Sequence, residues 1–270
     1  IVNSYSTTQV YMNLVNAIDA FGVEQTVIVP LKKKAKKQLN VNIPSFKNSQ
    51  SNIVFLPVLK KYHRFFYKKK ISTVLELVKE NVDLKKISIV HAGTSFFDGA
   101  VAYEIYKLYR IPYITAVRIT DQRYMKFYIF HKNYYYSILE NASRVIFINS
   151  NLKKYISSAF KFKNERLNNF VVIANGISTI FLENVVRRRL SIHNPIRLLY
   201  SSAFIKRKCL CETIKATAIL VKNGYNIKLD AYGMGLPNKG ETKSYINQIN
   251  KYAEKYDWFN IHPHVTLNKN

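Results

Sequence analysis

Ile111-Pro112-Tyr113-Ile114-Thr115-Ala116-Val117-Arg118-Ile119-Thr120-Asp121 is the stretch on which the reading of this chain turns. Residues 113–117 are a short, apolar run rich in branched side chains, the composition of a strand buried on both faces. Arg118 and Asp121 follow at once, at the carboxyl edge of that strand, where open α/β sheets bind their ligands. An aspartate there can accept from a ligand hydroxyl or cap the next helix. An arginine stays charged at neutral pH, so it can orient or neutralise but cannot abstract a proton.

The same pattern repeats on both sides of this stretch. Val10, Leu14, Ala17, Ile18 and Phe21 fall at helical spacing, with Gly22 as a stop. Further strand-like runs lie at 26–29, 53–56, 87–90, 145–148 and 171–173, and helical stretches at 73–80, 98–109 and 123–140 separate the later ones. That alternation predicts parallel sheets with crossover helices. After Asn175-Gly176 the rhythm loosens through Arg187-Arg188-Arg189 and Asn194-Pro195. It then restarts as strand 196–200, helix 209–222, strand 227–231, helix 242–256 and strand 258–261. Two Rossmann-like domains are expected, at 1–180 and 196–270, joined by a linker at 181–195.

Composition narrows the function. Disorder does not fit a chain that is 48% hydrophobic, 14% aromatic and only 21% charged. Forty-two Lys and Arg against 16 Asp and Glu give a net charge of +26, a field suited to phosphates on nucleotides, lipid headgroups or nucleic acid. No nucleic-acid recognition module accompanies the charge, so no specific nucleic-acid partner is expected. A nicotinamide oxidoreductase is excluded, because no Gly-x-Gly-x-x-Gly opens a helix after an early strand. The chain holds no Asp-x-Asp, and neither a bound metal nor a cofactor is expected. Cys209 and Cys211 stand two apart and read as reduced thiols. The apolar runs are strand-sized, and no signal peptide opens the chain. Both ends read as cut, Ile1 like the tail of a strand and Asn270 just after an apolar piece.

Four segments, in order, carry a family resemblance. They are Ile89-Val90-His91-Ala92-Gly93-Thr94 with Asp98-Gly99; Ile111 to Asp121; Val145-Ile146-Phe147 with Val172-Ile173-Ala174-Asn175-Gly176-Ile177; and Leu198 to Lys208 with Leu229-Asp230-Ala231-Tyr232-Gly233-Met234-Gly235. Together they cover nearly the whole chain, which resembles a GT-B glycosyltransferase of family 4. The resemblance implies two Rossmann-like parallel-sheet domains facing a cleft, with the second incomplete. It implies a retaining transfer of sugar from a nucleotide-sugar donor to a glycan or lipid-linked acceptor, as in cell-surface polysaccharide synthesis. It also implies a later donor-holding segment with two glutamates seven residues apart. Residues 242–270 hold Glu254 and no glutamate after it, so these 270 residues are not expected to transfer sugar by themselves.

Carried over residue by residue, the resemblance implies that Lys208 grips the donor diphosphate, with Arg207 beside it and Gly233 and Gly235 at the donor. Asn175 and Gly176 fall at the hinge side of the cleft, though a turn needing positive φ explains Asn175-Gly176 equally well. Arg118 stands where the family often carries a histidine that contacts the reactive sugar. His91, at a strand end on the same edge, and Asp121 complete the acceptor-side candidates. Two departures matter: Ala203 stands where the family has an arginine, and Ser202 where it has a glycine. They keep a second reading open, a degenerate GT-B protein that binds acceptor or partner without catalysis. Residues 60–70 interleave aromatics with cations. On a helix they would suit an anionic membrane surface, and a solvated basic loop whose aromatics pack on the sheet fits equally well. The expected location is cytoplasmic, peripheral on the inner membrane face.

Overall fold

The structure is a computed structural model, and it describes residues 1, 9–32, 46–177, 182–183, 185, 195–235 and 240–263. The opening loop before Gln9, the lysine cluster beyond Lys32 and most of the linker at 181–195 lie outside the described residues. The chain forms two compact units, Ile1–Val185 and Val186–Asn270.

In the first unit, helix α1 (Gln9–Ala20) precedes a parallel pair, β1 (Thr26–Lys32) and β2 (Asn52–Leu59). Helix α2 (Tyr67–Asn81) then leads to a four-stranded parallel sheet of order β3-β4-β5-β6. Its strands are β3 (Val90–Ala92), β4 (Tyr113–Val117), β5 (Arg144–Phe147) and β6 (Phe170–Val172). Helices α3 (Asp98–Tyr109), α4 (Ile119–Phe127), α5 (Lys132–Asn141), α6 (Ser150–Ala159) and α7 (Asn164–Leu167) make the connections. Tyr113, Thr115, Ala116 and Val117 are all buried, so β4 is covered on both faces as its composition requires. Gly99 lets α3 lie against this strand: a Cβ there would stand 2.9 Å from Thr115 Oγ1 and 3.1 Å from Ile138 Cγ2.

Two expectations shift. The run at 87–90 is not a strand throughout: Leu84–Lys86 forms a 3-10 turn capped by Asp83, and pairing starts only at Val90. The single helix expected over 123–140 is broken into α4, a 3-10 turn at Ile129–His131, and α5. Tyr128 causes the break. Its backbone leaves the helical region (φ −108, ψ 53), and its buried side chain donates a hydrogen bond to the Arg64 carbonyl.

The second unit is a three-stranded parallel sheet, β7 (Ile196–Ser201), β8 (Ile227–Tyr232) and β9 (Phe259–His262), with α8 (Leu210–Lys222) and α9 (Gly240–Lys255). Alternation is clean here: Ile227, Leu229 and Ala231 are buried, the last two against Leu210, Ile214, Tyr245 and Ile249. The opposite face carries Arg197, Leu199, Asp230, Asn260 and His262, with Asp230 accepting from Arg197, Asn260 and His262. These contacts, the histidine's first, hold the Asp230 carboxyl below the usual carboxylate range.

Candidate functional site

At the carboxyl edge of the first sheet, three loops converge on Arg118. The residue follows β4 and caps α4. Its Nε donates to the Gly93 carbonyl at 3.3 Å, in the loop after β3. Its guanidinium also donates to Asn175 Oδ1 at 2.5 Å, in the segment after β6. The same guanidinium lies 5.0 Å from the centre of the Tyr11 ring, a cation-π distance. Tyr11 Oη donates to Gly93 at 3.1 Å. Arg118 is half-buried and pairs with no carboxylate among the described residues. Neutral oxygens and a ring face aim the cation without cancelling its charge. Tyr11 was not singled out in the sequence; it lies far from Arg118 along the chain, and only the fold brings the two together.

Asp121 sits one turn into α4 and is fully buried. One carboxylate oxygen accepts from Phe96 N at 2.9 Å and the other from Arg118 N at 2.6 Å. This is the reciprocal half of a capping box, and it also ties the β3 loop to the β4 loop. Burial raises its pKa to about 6, although those N–H groups pull the other way. With no exposed surface, Asp121 ties the Arg118 backbone to the β3 loop. Asp98 is similarly buried at the start of α3, accepting from Thr94 N and Oγ1.

His91 lies one residue inside the end of β3, paired in register with Ile114. Burial, reinforced by nearby positive charge including Arg118, lowers its pKa to about 4, so the ring is neutral at physiological pH. Gly176 is exposed, does not adopt positive φ, and would meet nothing within 4 Å if given a Cβ. The positive-φ account of Asn175-Gly176 is therefore wrong for this glycine. Asn175 instead acts through its side chain on Arg118.

The second unit brings its candidates to the matching edge of its own sheet. Lys206–Lys208 form a 3-10 turn after β7, and Cys209, in the left-handed region at φ 58, leads into α8. Lys206, Arg207 and Lys208 are exposed and have no ion-pair partner among the described residues. Lys208 also serves the fold, its carbonyl accepting from Tyr200 Oη at 3.1 Å. The loop after β8 is fastened alongside, with Ser202 N donating to Tyr232 O at 3.2 Å and Phe204 N to Met234 O at 2.9 Å. Gly233 is where the two loops cross: a Cβ would lie 2.0 Å from the Ser202 carbonyl oxygen. Packing alone therefore demands that glycine. Gly235 follows two residues on, half-buried, with residues 236–239 outside the described set. Ala203 and Ser202 line this crossing, and neither supplies a cation.

Among the described residues, no group of three or more His, Cys, Asp or Glu is arranged to hold a metal, and no helix is long and apolar enough to cross a membrane.

Comparison with known proteins agrees with this geometry. The sequence pattern of Glycosyltransferase Family 4 matches residues 7–181. Among solved structures, the chain is similar to HepE of Anabaena in complex with UDP and glucose, at TM-score 0.58 and 13% identity, over 98% of this chain and 68% of that one. It is similar to the N-terminal domain of trehalose-6-phosphate phosphatase from Candida albicans, at TM-score 0.61 and 10% identity, over 99% and 72%. It is also similar to UDP-N-acetylglucosamine 2-epimerase from Rickettsia bellii, at TM-score 0.51 and 14% identity, over 97% and 67%. No curated protein matches the sequence. At such identities the structural likenesses establish the fold, GT-B-like with Rossmann-type parallel sheets, and the family pattern establishes the class. The chain belongs to Glycosyltransferase Family 4 and is a glycosyltransferase by that membership.

Proposed function

We propose that the protein transfers a sugar from a nucleotide-sugar donor to a glycan or lipid-linked acceptor in cell-surface polysaccharide synthesis, at the inner face of the membrane. The observation that carries this reading is the exposed, unpaired run Lys206-Arg207-Lys208, set at the carboxyl edge of β7 just ahead of α8. A departing nucleoside diphosphate gains negative charge. Fixed cations and the N-terminal amides of a helix stabilise that charge without a metal. Lys208 and Arg207 take this role, and the loop Gly233–Gly235 lets backbone approach the donor.

On the acceptor side, Arg118 orients the reacting partners as a fixed cation. Neutral His91 can exchange hydrogen bonds but adds no charge. Asp121 keeps the Arg118 loop in place. The UDP and glucose held by HepE support a nucleoside-diphosphate donor for this chain. The test is a transfer assay on the full-length protein with a panel of nucleotide sugars and membrane-extracted acceptors. Lys208→Ala should lower turnover at least about tenfold, about 1.4 kcal/mol of transition-state stabilisation. Unchanged turnover removes Lys208 from the site. Donor binding without turnover by the unaltered protein would favour the non-catalytic reading that Ala203 and Ser202 leave open.

A further inference from the structure

Two segments far apart in sequence bring exposed apolar side chains to one place on the first unit. Phe65 and Phe66 precede α2 and are 68% and 62% exposed. Phe127, Ile129 and Phe130 flank the break between α4 and α5 and are 63%, 64% and 97% exposed. The segments are locked together. Tyr128 donates to the Arg64 carbonyl, and the Tyr67 ring packs 4.5 Å from that of His131. Residues 65–69 and His131 line one open hollow of about 360 Å³. Beneath it lies a rigid aromatic base, with Tyr67, Phe96 and Tyr128 packed at centroid distances of 4.9, 5.5 and 5.6 Å.

Exposed cations neighbour these apolar groups in both segments. Arg64, Lys68 and Lys69 come from the first segment, Arg123, Lys126 and Lys132 from the second, and all six are exposed. No Asp or Glu occurs anywhere in residues 57–75 or 122–137. Exposed rings and a branched aliphatic, on segments that carry cations and no carboxylate, match one kind of surface, an anionic bilayer. There the apolar groups enter the acyl boundary while lysines and arginines meet phosphate headgroups in the same plane. A protein partner would have to offer acidic and apolar groups side by side. Stacking on single-stranded nucleic acid needs ring faces laid along a groove, and Ile129 has none to offer.

Position gives the surface a use. Phe96 belongs to its aromatic base, yet its backbone N–H donates to Asp121, the residue that holds Arg118. The lipid-facing platform and the carboxyl-edge site therefore share one loop. We propose that residues 64–69 and 126–130 form a docking surface for an anionic lipid bilayer, placed so that an acceptor anchored in that bilayer presents its head to the Arg118 edge. The use as an acceptor platform rests on the lipid-linked part of the proposed function, whereas the surface itself does not.

The experiment is sedimentation of the full-length protein with vesicles of phosphatidylcholine alone or with phosphatidylglycerol added. Lys68→Glu/Lys69→Glu and Phe127→Ser/Phe130→Ser should each reduce partitioning onto the anionic vesicles about tenfold or more. Lys85→Glu/Lys86→Glu, a charge-matched change at exposed positions before β3, should leave it within about twofold. Phe130→Trp supplies a reporter against one buried native Trp258, and its emission should shift to the blue and be quenched by brominated lipid. Platform variants that bind as the unaltered protein does would overturn this surface and leave membrane location standing. Failure of the unaltered protein to prefer anionic vesicles would overturn both. If the same substitutions abolish binding to single-stranded RNA while vesicles are ignored, the surface is a nucleic-acid site and the proposal is wrong. Loss of vesicle binding with full transfer to a water-soluble acceptor supports the proposal and leaves the catalytic reading intact.

Discussion

The two sheets hold their carboxyl-edge cations in opposite ways. At the first edge, Arg118 is half-buried, bonded to Gly93 and Asn175, laid against Tyr11, and backed by a carboxylate with no exposed surface. At the second, Lys206, Arg207 and Lys208 stand exposed on a single 3-10 turn, held only through the backbone. A guanidinium fixed by neutral acceptors keeps one direction and suits the orienting of a partner. Solvated lysines can gather around a phosphate group and release it again, at the cost of side-chain entropy. The first edge thus resembles a template and the second a grip.

If the first edge is a template, removing its fixing carboxylate should hurt most. Asp121→Ala strands two buried backbone N–H groups, at about 2 kcal/mol each. We expect about 4 kcal/mol lost in urea unfolding, and a loss below about 1 kcal/mol would show that the loops hold without it.

The second edge has its own structural demand. Gly233→Ala forces a Cβ onto the Ser202 carbonyl oxygen, so a loss of about 3 kcal/mol is expected, at the upper end of overpacking. A neutral result would mean that the two loops cross less tightly than described.

A smaller effect separates the edges by pH. The Asp121 carboxyl titrates near 6 in the folded protein, above its value of about 3.9 in an unfolded chain. Its contribution to stability is therefore complete below about pH 4 and is lost as the pH rises through about 6, by about 2–3 kcal/mol. Asp121→Asn should flatten that slope, and an unchanged profile would dissociate it from this residue.

Much of the fold was legible because strand composition is local. Residues 113–117 match β4, and 98–109 match α3. The reading failed where a distant contact decided. The 123–140 helix is broken because Tyr128 turns inward to Arg64, a partner 64 residues earlier. The same turn exposes Phe127, Ile129 and Phe130. At the site, Arg118 could be named from its place after a strand, and Lys208 from the family resemblance. The burial of Asp121 and the packing need for Gly233 could not, because each depends on a loop supplied by another strand.

If the second edge grips the donor while the first only orients, the difference shows most plainly in nucleoside diphosphate binding. With the full-length protein in a calorimeter, Lys208→Ala should weaken binding of UDP at least about tenfold, about 1.4 kcal/mol. Arg118→Lys should leave binding within about twofold while lowering transfer. Undiminished UDP binding by Lys208→Ala, or its loss in Arg118→Lys alone, would contradict the assignment of grip and template.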